Sequence, residues 1–419
     1  MMKNKLIAIC SFLMLNSCMV AAPLGFLEPY NFMIEAEPIY GKSKFQFTIL
    51  TQLSYDNVSF NEDGHEVNAL QIYEPEQNLL GLFQGLGNAS QFNQLVNSLA
   101  GGAGGGVNNG ENGLFTPTGT FDGSQVALLA SYMFHQHCYF KVSIPVYKVN
   151  LTDVNWVYSG NNETFAGQAI QTQLVNSFTS EALQDFNLST GNYSQAGFGD
   201  VTMLLDYVCD YPQGRSLLRN VRVHLRLGLS VPTGIVADEN QIMSVPFGND
   251  GSVGLPFGGG LDVNLGRYFQ CGFRGQFLYL WGNAKPRRVS NFPSQTSLLL
   301  PQVAMVYKEY GFIQQFDLYA QAYNFVGGLS LKLAYEYYRK AQDQISVQTP
   351  GFGYEQVNTD LRLNEQTRHN MIAVLSFDSA FLKNTNRIHP QASIFVNMPF
   401  NGSFASLLST VGLQLTLDF

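Results

Sequence analysis

Hydrophobic and polar positions alternate with period two through much of this chain, and the alternation is cleanest from Val221 to Val231. Val221, Val223, Leu225, Leu227, Leu229 and Val231 share one parity, while Arg222, His224, Arg226 and Ser230 share the other. Successive side chains of a strand point to opposite faces, so this segment has one apolar and one polar face. A slip of one residue would turn both arginines to the apolar side, so the pattern fixes which residues share a face. The segment from Leu329 repeats the logic, with Leu329, Leu331, Leu333, Tyr335 and Tyr337 on one face. Ser330, Lys332 and Glu336 lie on the other.

Alternation of this kind predicts twelve strands, near residues 43–56, 122–135, 138–150, 197–209, 219–232, 257–267, 269–282, 312–325, 328–340, 368–378, 389–400 and 408–419. The connections between them alternate short and long. Short turns fall at His135–Cys138, Cys209–Leu218, Gly266–Tyr268, Phe325–Gly327 and around Ala380–Arg387. Long loops fall at 57–121, 151–196, 233–256, 283–311, 341–367 and 401–407. Leu298–Tyr310 also reads as a strand. Counting it would break the alternation of short and long, so it is assigned to the fourth long loop; a missed partner would make fourteen strands.

Composition decides between a soluble sandwich and a membrane barrel. The chain is 45% hydrophobic and only 13% charged, with 40 glycines, 21 tyrosines and 32 phenylalanines. The charged share is about half that of ordinary soluble domains. An apolar exterior, a polar interior and aromatic rims account for the combination. The expected fold is therefore all-β, a transmembrane antiparallel barrel of about 12 strands (12–14) with short periplasmic turns and long extracellular loops. No run of 18 apolar residues follows the N-terminus, so helical spans are excluded. The last strand, Val411 to Phe419, ends on an aromatic residue and resembles the C-terminal insertion signal of bacterial outer-membrane barrels. That resemblance implies outer-membrane lipid and the barrel-assembly machinery, which would read the Phe419 strand, as partners.

Residues 1–22 read as a signal peptide: Lys3 and Lys5, an apolar run from Leu6 to Leu15, then Val20-Ala21-Ala22. Cys18 offers a rival, lipoprotein-like site. Removing 1–22 leaves 21 basic and 31 acidic residues, a net charge of −10. No basic cluster suggests nucleic acid. The expected organisation is a periplasmic N-terminal segment at 23–42 and a barrel over 43–419, with long first (57–121) and second (151–196) outer loops.

The two long loops carry apolar residues at helical spacing. In the first these include Leu79, Leu82, Phe83 and Phe92, and in the second Phe165 and Phe178. They would capture a hydrophobic solute, fold into the lumen as a constriction, or pack as a loop cap on themselves or on a neighbouring protomer.

Gly197-Phe198-Gly199-Asp200-Val201, Leu229-Ser230-Val231-Pro232-Thr233-Gly234 and Leu255-Pro256-Phe257-Gly258-Gly259-Gly260-Leu261-Asp262 follow one another in order. Together they resemble the outer-membrane proteins of the phenol meta-degradation pathway, which are distantly similar to long-chain fatty-acid transporters. The likeness covers residues 197–280. It implies a monomeric channel for small hydrophobic or aromatic compounds, by passive or facilitated diffusion. The fatty-acid transporters also have an N-terminal plug of about 40 residues; about 20 precede the first strand here, so a full plug is not expected. A general diffusion porin for polar solutes, or a structural barrel without transport, are the alternatives.

The expected lumen-lining set is Asp206, Arg222, His224, Arg226, Arg274, Lys332 and Glu336. Pairing across the turn at 210–218 would set Asp206 opposite Arg222, Leu204 opposite His224 and Thr202 opposite Arg226. Arg226 would then lack an acid on that side. Lys44 would face Asp418 at the seam. Cys138 and Cys209 would form either a disulfide or two free thiols near the periplasmic rim. His135 and His137 are too few for a metal site. The H-x-S-N-G motif that outer-membrane phospholipases share is missing, so no catalytic residue, metal or cofactor is expected.

Overall fold

The computed structural model describes residues 31–35, 44–84, 113–160, 186–381 and 388–419. Twelve of its strands form the barrel. In chain order they are β1 (Phe45–Phe60), β2 (Leu114–His135), β3 (Cys138–Tyr158), β4 (Val201–Pro212), β5 (Leu218–Val231) and β6 (Gly254–Leu265). Then follow β7 (Phe269–Leu280), β8 (Ile313–Val326), β9 (Leu329–Lys340), β10 (Gln366–Asp378), β11 (His389–Ser403) and β12 (Ala405–Asp418).

Each strand pairs antiparallel with its neighbours in sequence, and β1 closes the ring on β12. The seam runs from Gln46↔Asp418 to Phe60↔Ala405, with one irregularity between Ser54 and Asp56. On its other side β1 pairs with β2 from Phe45↔Tyr132 to Leu53↔Ser124. Both edges of every barrel strand are used. In hydrocarbon no water can satisfy a free strand edge, so closure is what lets a sheet cross a membrane. The outward face agrees: Leu225, Leu227, Leu229, Leu331 and Leu333 are exposed, and Arg222, His224, Arg226, Ser330, Lys332 and Glu336 are buried inside.

All twelve expected strands are present, and the extra candidate resolves without changing the count. Gln302–Glu309 is a strand, but it pairs with Asn283–Val289 and Gln344–Val347 in a separate three-stranded sheet outside the barrel wall. Val289, Ala304, Val306, Ile345, Val357 and Leu363 form the core beneath that sheet. β2 and β3 are 22 and 21 residues long, about twice what a bilayer needs. Their excess length stands above the wall and narrows the first and second loops relative to the expected 57–121 and 151–196.

Two pairings differ from expectation. Asp206 lies opposite Arg226, Val208 opposite His224, Asp210 opposite Arg222 and Thr202 opposite Ser230. β4 continues to Pro212, so the turn is Gln213–Leu217 rather than 210–218. The expected register and the observed one leave the same residues facing inward, so burial cannot choose between them. Ion pairing does, because the observed register gives both Arg222 and Arg226 a carboxylate. At the seam Asp418 meets Gln46, not Lys44. Its carboxylate accepts from Gln46 Nε2 at 3.0 Å and Gln391 Nε2 at 2.9 Å. Cys138 faces Tyr207, so Cys209 lies diagonally off; both are free thiols. Diagonal neighbours sit about 7–8 Å apart, beyond the usual reach of a disulfide.

The glycine-rich motifs meet at a break in the wall. Tyr193–Phe198 pairs with the upper half of β3, β4 with the lower half, and Gly199-Asp200 interrupts between them. The Asp200 carboxylate accepts from Gly234 N at 2.8 Å and Asn249 N at 2.6 Å. Thr233 Oγ1 accepts from Val201 N and donates to Gly199 O. Gly248 packs against the same carboxylate at φ +133°, where a Cβ would meet Asp200 Oδ2 at 2.4 Å. One acid thus staples the break to two loops.

Leu227→Arg places a cation on the outward face and should cost about 2–4 kcal/mol if the residue sits near the membrane midplane. Denaturant titration in lipid vesicles measures this. A cost near zero would mean that this face does not meet hydrocarbon.

Candidate functional site

Alternation drives the polar face of every strand into one lumen, where side chains too costly to bury alone have to neutralise one another. Asn31–Glu35 sits among them as a single tight turn. Its Asn31 Oδ1 accepts from Met33 N at 2.8 Å, and Glu35 N donates to Asn31 O at 3.1 Å. Phe32, Met33 and Ile34 pack with Leu50, Ala127, Tyr319, Ala334, Ile372, Val374 and Phe395 from the surrounding wall. Asn31–Glu35 therefore plugs the centre of the barrel, a small plug and not one of about 40 residues.

Charges seat the plug. Arg226 Nη1 and Nη2 each lie 2.7 Å from a Glu35 oxygen, a bidentate pair. The same guanidinium donates from Nε and Nη2 to Asp206, at 2.8 Å each. Lys141 Nζ bridges the two acids, 2.8 Å from Glu35 and 2.8 Å from Asp206. Two cations and two carboxylates thus cancel. The Arg226 guanidinium also lies 3.8 Å from the centroid of the Phe32 ring, a cation–π contact.

Three of the remaining predicted residues, Arg274, Lys332 and Glu336, converge on the same turn. Arg274 donates to Phe32 O at 3.1 Å and to Asp262 at 3.0 Å. Asp262 also holds His224 Nε2 at 2.5 Å. Lys332 Nζ donates to Met33 O at 3.3 Å. Glu336 is fully buried and accepts from Asn31 Nδ2 at 2.5 Å, Asn370 at 2.7 Å, Gln315 at 3.0 Å and Arg368 at 3.3 Å. Arg222 stands apart, paired with Asp210.

Parity on β6 explains how so many large groups fit. Gly258 and Gly260 face inward beside Arg226, His224 and Arg274; a Cβ on Gly260 would meet Arg274 Cγ at 2.5 Å. Sequence reasoning missed Asn31, Glu35, Lys141 and Asp262. Lys141 and Asp262 were findable, since each shares inward parity on its strand. Asn31 and Glu35 precede any periodic segment and carry no such signal.

The opposite wall is uncharged apart from Asp418 near its lower end. Gln46, Thr48, Gln52, Gln125, Gln414 and Thr416 face inward from β1, β2 and β12, and Gln52 bonds Gln125 across the strands. A crevice of about 30 Å³ lies between this wall and Ile34–Glu35, and one of about 40 Å³ lies between Ile34–Glu35 and β8 to β12, each with room for a few waters.

Above the plug, towards the long loops, lies a chamber of about 240 Å³. Phe121, Leu298, Leu300 and Phe404 line one part, and Lys285, Arg287, Lys308 and Arg362 another. Leu79 and Leu82 do not line it. Both are fully buried in the cap core with Phe115, Phe121, Tyr147 and Leu299, so they pack the cap rather than capture solute. The Phe83 side chain and Phe92, Phe165 and Phe178 lie outside the described residues.

Arg288 knits this cap together. Its guanidinium donates to the carbonyls of Glu239, Leu300, Pro301, Phe186 and Asn187, joining three loop segments. Among the described residues no group of three or more metal-ligating side chains occurs.

No family model and no curated protein matches the chain. Among solved structures it is similar to the COG4313 outer membrane channel from Pseudomonas putida F1. That match has 12% identity, covers 92% of this chain and all of the other, and has a TM-score of 0.47. It is similar to the P. putida toluene transporter TodX at 10% identity, covering 90% of each chain, with a TM-score of 0.30. The NanC porin aligns at 9% identity over 73% of this chain and 98% of its own, with a TM-score of 0.30. The barrel itself is established by its strand pairing.

Glu35→Gln removes one charge from the plug's seat. The seat should weaken by about 2 kcal/mol, raising the unplugged population about thirtyfold. Single-channel recording in planar bilayers should show longer and more frequent open events than in the wild type. Identical recordings would mean that this cluster does not hold the plug.

Proposed function

We propose that this chain is an outer-membrane channel that passes small hydrophobic or aromatic compounds by passive or facilitated diffusion. The observation that carries the reading is a closed, apolar-belted barrel whose lumen runs from a partly apolar chamber to a small, charge-seated plug. The belt commits the barrel to lipid, and the signal-peptide pattern and C-terminal aromatic strand direct it to the outer membrane. The long loops then face the exterior, so the chamber is the first compartment a solute meets. Asp206, Arg222, His224, Arg226, Arg274, Lys332 and Glu336 act in this reading as the lumen's lining. Most of them hold the plug rather than line an open hole.

A general diffusion pore fits less well. Polar solutes of sugar size need a continuous wet passage, whereas Phe32, Met33 and Ile34 are buried in the lumen's centre beside crevices of about 30 and 40 Å³. Such solutes would find no path until the plug moves.

Two measurements separate the readings. Proteoliposomes should swell slowly in sugars, near the rate of empty vesicles. Intact cells expressing the protein should take up a toluene-like probe faster than cells lacking it. Rapid swelling in sugars would sink the hydrophobic-channel reading. If neither solute moved, the structural-barrel reading would replace it.

A further inference from the structure

The cationic part of the outer chamber holds more positive charge than its acids neutralise. Lys285 and Arg287 share one carboxylate, Asp250, with Arg287 Nη1 at 2.6 Å from Oδ2. Lys308 and Lys340 share another, Asp343, at 3.5 and 3.3 Å. Among the described residues, these four basic groups share two acids, and the chamber's other acids, Asp238, Glu239 and Asp360, are matched by Arg288, Arg362 and Arg368 in the same lining.

Lys285, Arg287 and Asp250 are partly buried, and the second trio is nearly sealed from solvent. The side chains of Lys308 and Lys340 are 8% and 1% exposed, and Asp343 is fully buried. The Nζ of Lys340 and Oδ2 of Asp343 make no hydrogen bond. Lys308 lines the chamber, and its ammonium lies 5.4 Å from the Tyr310 ring centroid. Burial, and then the charge of Arg287, push its pKa well below the ordinary lysine value. At Asp250 burial works the other way, yet Arg287, Lys308 and Lys285 outweigh it and hold the carboxyl at about 2. Each of the two acids is thus shared between two basic groups, and neither Lys308 nor Lys340 has a carboxylate of its own.

Buried cations with too few counter-charges are costly unless an anion joins them. The chamber supplies the rest of a binding site. Phe121, Leu298, Leu300, Phe404 and Leu407 give it an apolar wall. Its volume of about 240 Å³ lies just below the range of pockets for drug-sized ligands, which suits one aromatic ring or a short acyl chain.

We propose that the chamber binds a small amphipathic carboxylate, with its anionic head beside Lys308 and Arg287 and its apolar body against Phe121, Leu298 and Phe404. This rests on the channel reading and narrows it: the first stop on the route selects an acid with an apolar tail. A bare inorganic anion would satisfy the cations but leave the apolar wall unused. A neutral ring would do the reverse.

Isothermal titration of the full-length protein in detergent tests this, with benzoate, benzyl alcohol and inorganic phosphate as probes. Benzoate should bind at one site per chain, at least tenfold more tightly than either of the others. Lys308→Met should weaken benzoate at least tenfold, and Lys308→Arg should retain it. Lys308→Arg keeps the charge, so it reports on the site even if the methionine variant fails to fold. Equal affinity for benzyl alcohol, phosphate binding as tight as benzoate, or no benzoate binding would each overturn the proposal. Wild-type cells taking up a toluene-like probe while benzoate fails to bind would refute this inference alone. Loss of both would refute the channel reading as well.

Discussion

An unpaired strand edge cannot survive in hydrocarbon, and this constraint organises the molecule. β1 must pair on both sides, so the sheet closes on itself. Closure turns a flat alternation into an inside and an outside. Every inward arginine, lysine and carboxylate on twelve strands is then forced towards one axis, where water is scarce and each charge needs a partner. The cluster of Glu35, Lys141, Asp206 and Arg226 is one solution to that crowding. It recruits a carboxylate from outside the barrel wall, because the wall's own Asp206 cannot neutralise two cations.

The lumen that results is lopsided. Strands β3 to β10 contribute the charged residues that grip Asn31–Glu35, through Arg226, Arg274, Lys332 and Glu336. Strands β1, β2 and β12 contribute amides and hydroxyls that mostly bond one another, as in the Thr48–Thr416 contact at 2.8 Å. The plug is thus held by side chains of β3, β5, β7 and β9 and borders small crevices at β1, β2 and β12 and at β8 to β12. Displacing it breaks side-chain contacts only, which leaves the barrel's own strand pairing intact. A conduit can open in this way without unfolding its container.

Parity along the chain made the barrel legible. Period-two alternation located all twelve strands, and the rhythm of short and long connections kept Gln302–Glu309 out of the wall. The same signal is blind to slips of two or four residues, which leave each side chain on its face. That blindness accounts for both pairing errors: Asp206 set against Arg222 instead of Arg226, and Lys44 set against Asp418 instead of Gln46. Choosing between such registers takes ion-pair counting along the whole strand, since Asp210 also requires an arginine. The lumen residues on β5, β7 and β9 were readable for the same reason as the strands. Asn31 and Glu35 were not, because a five-residue turn has no period. The cationic chamber was equally hidden, since Asp250, Lys285, Lys308 and Asp343 come together only through loops.

The central claim is that solutes pass only when Asn31–Glu35 leaves the lumen. Ile34 and Gln414 line the same two crevices. A protein with Ile34→Cys and Gln414→Cys, and serine at Cys138, Cys209 and Cys271, the cysteines beyond the signal-peptide region, can be joined there by a reducible bis-thiosulfonate. Ionic current through single molecules in planar bilayers should cease on cross-linking and return on reduction. Current that is unchanged by the cross-link would contradict the account, because the plug would then be a passenger rather than the gate.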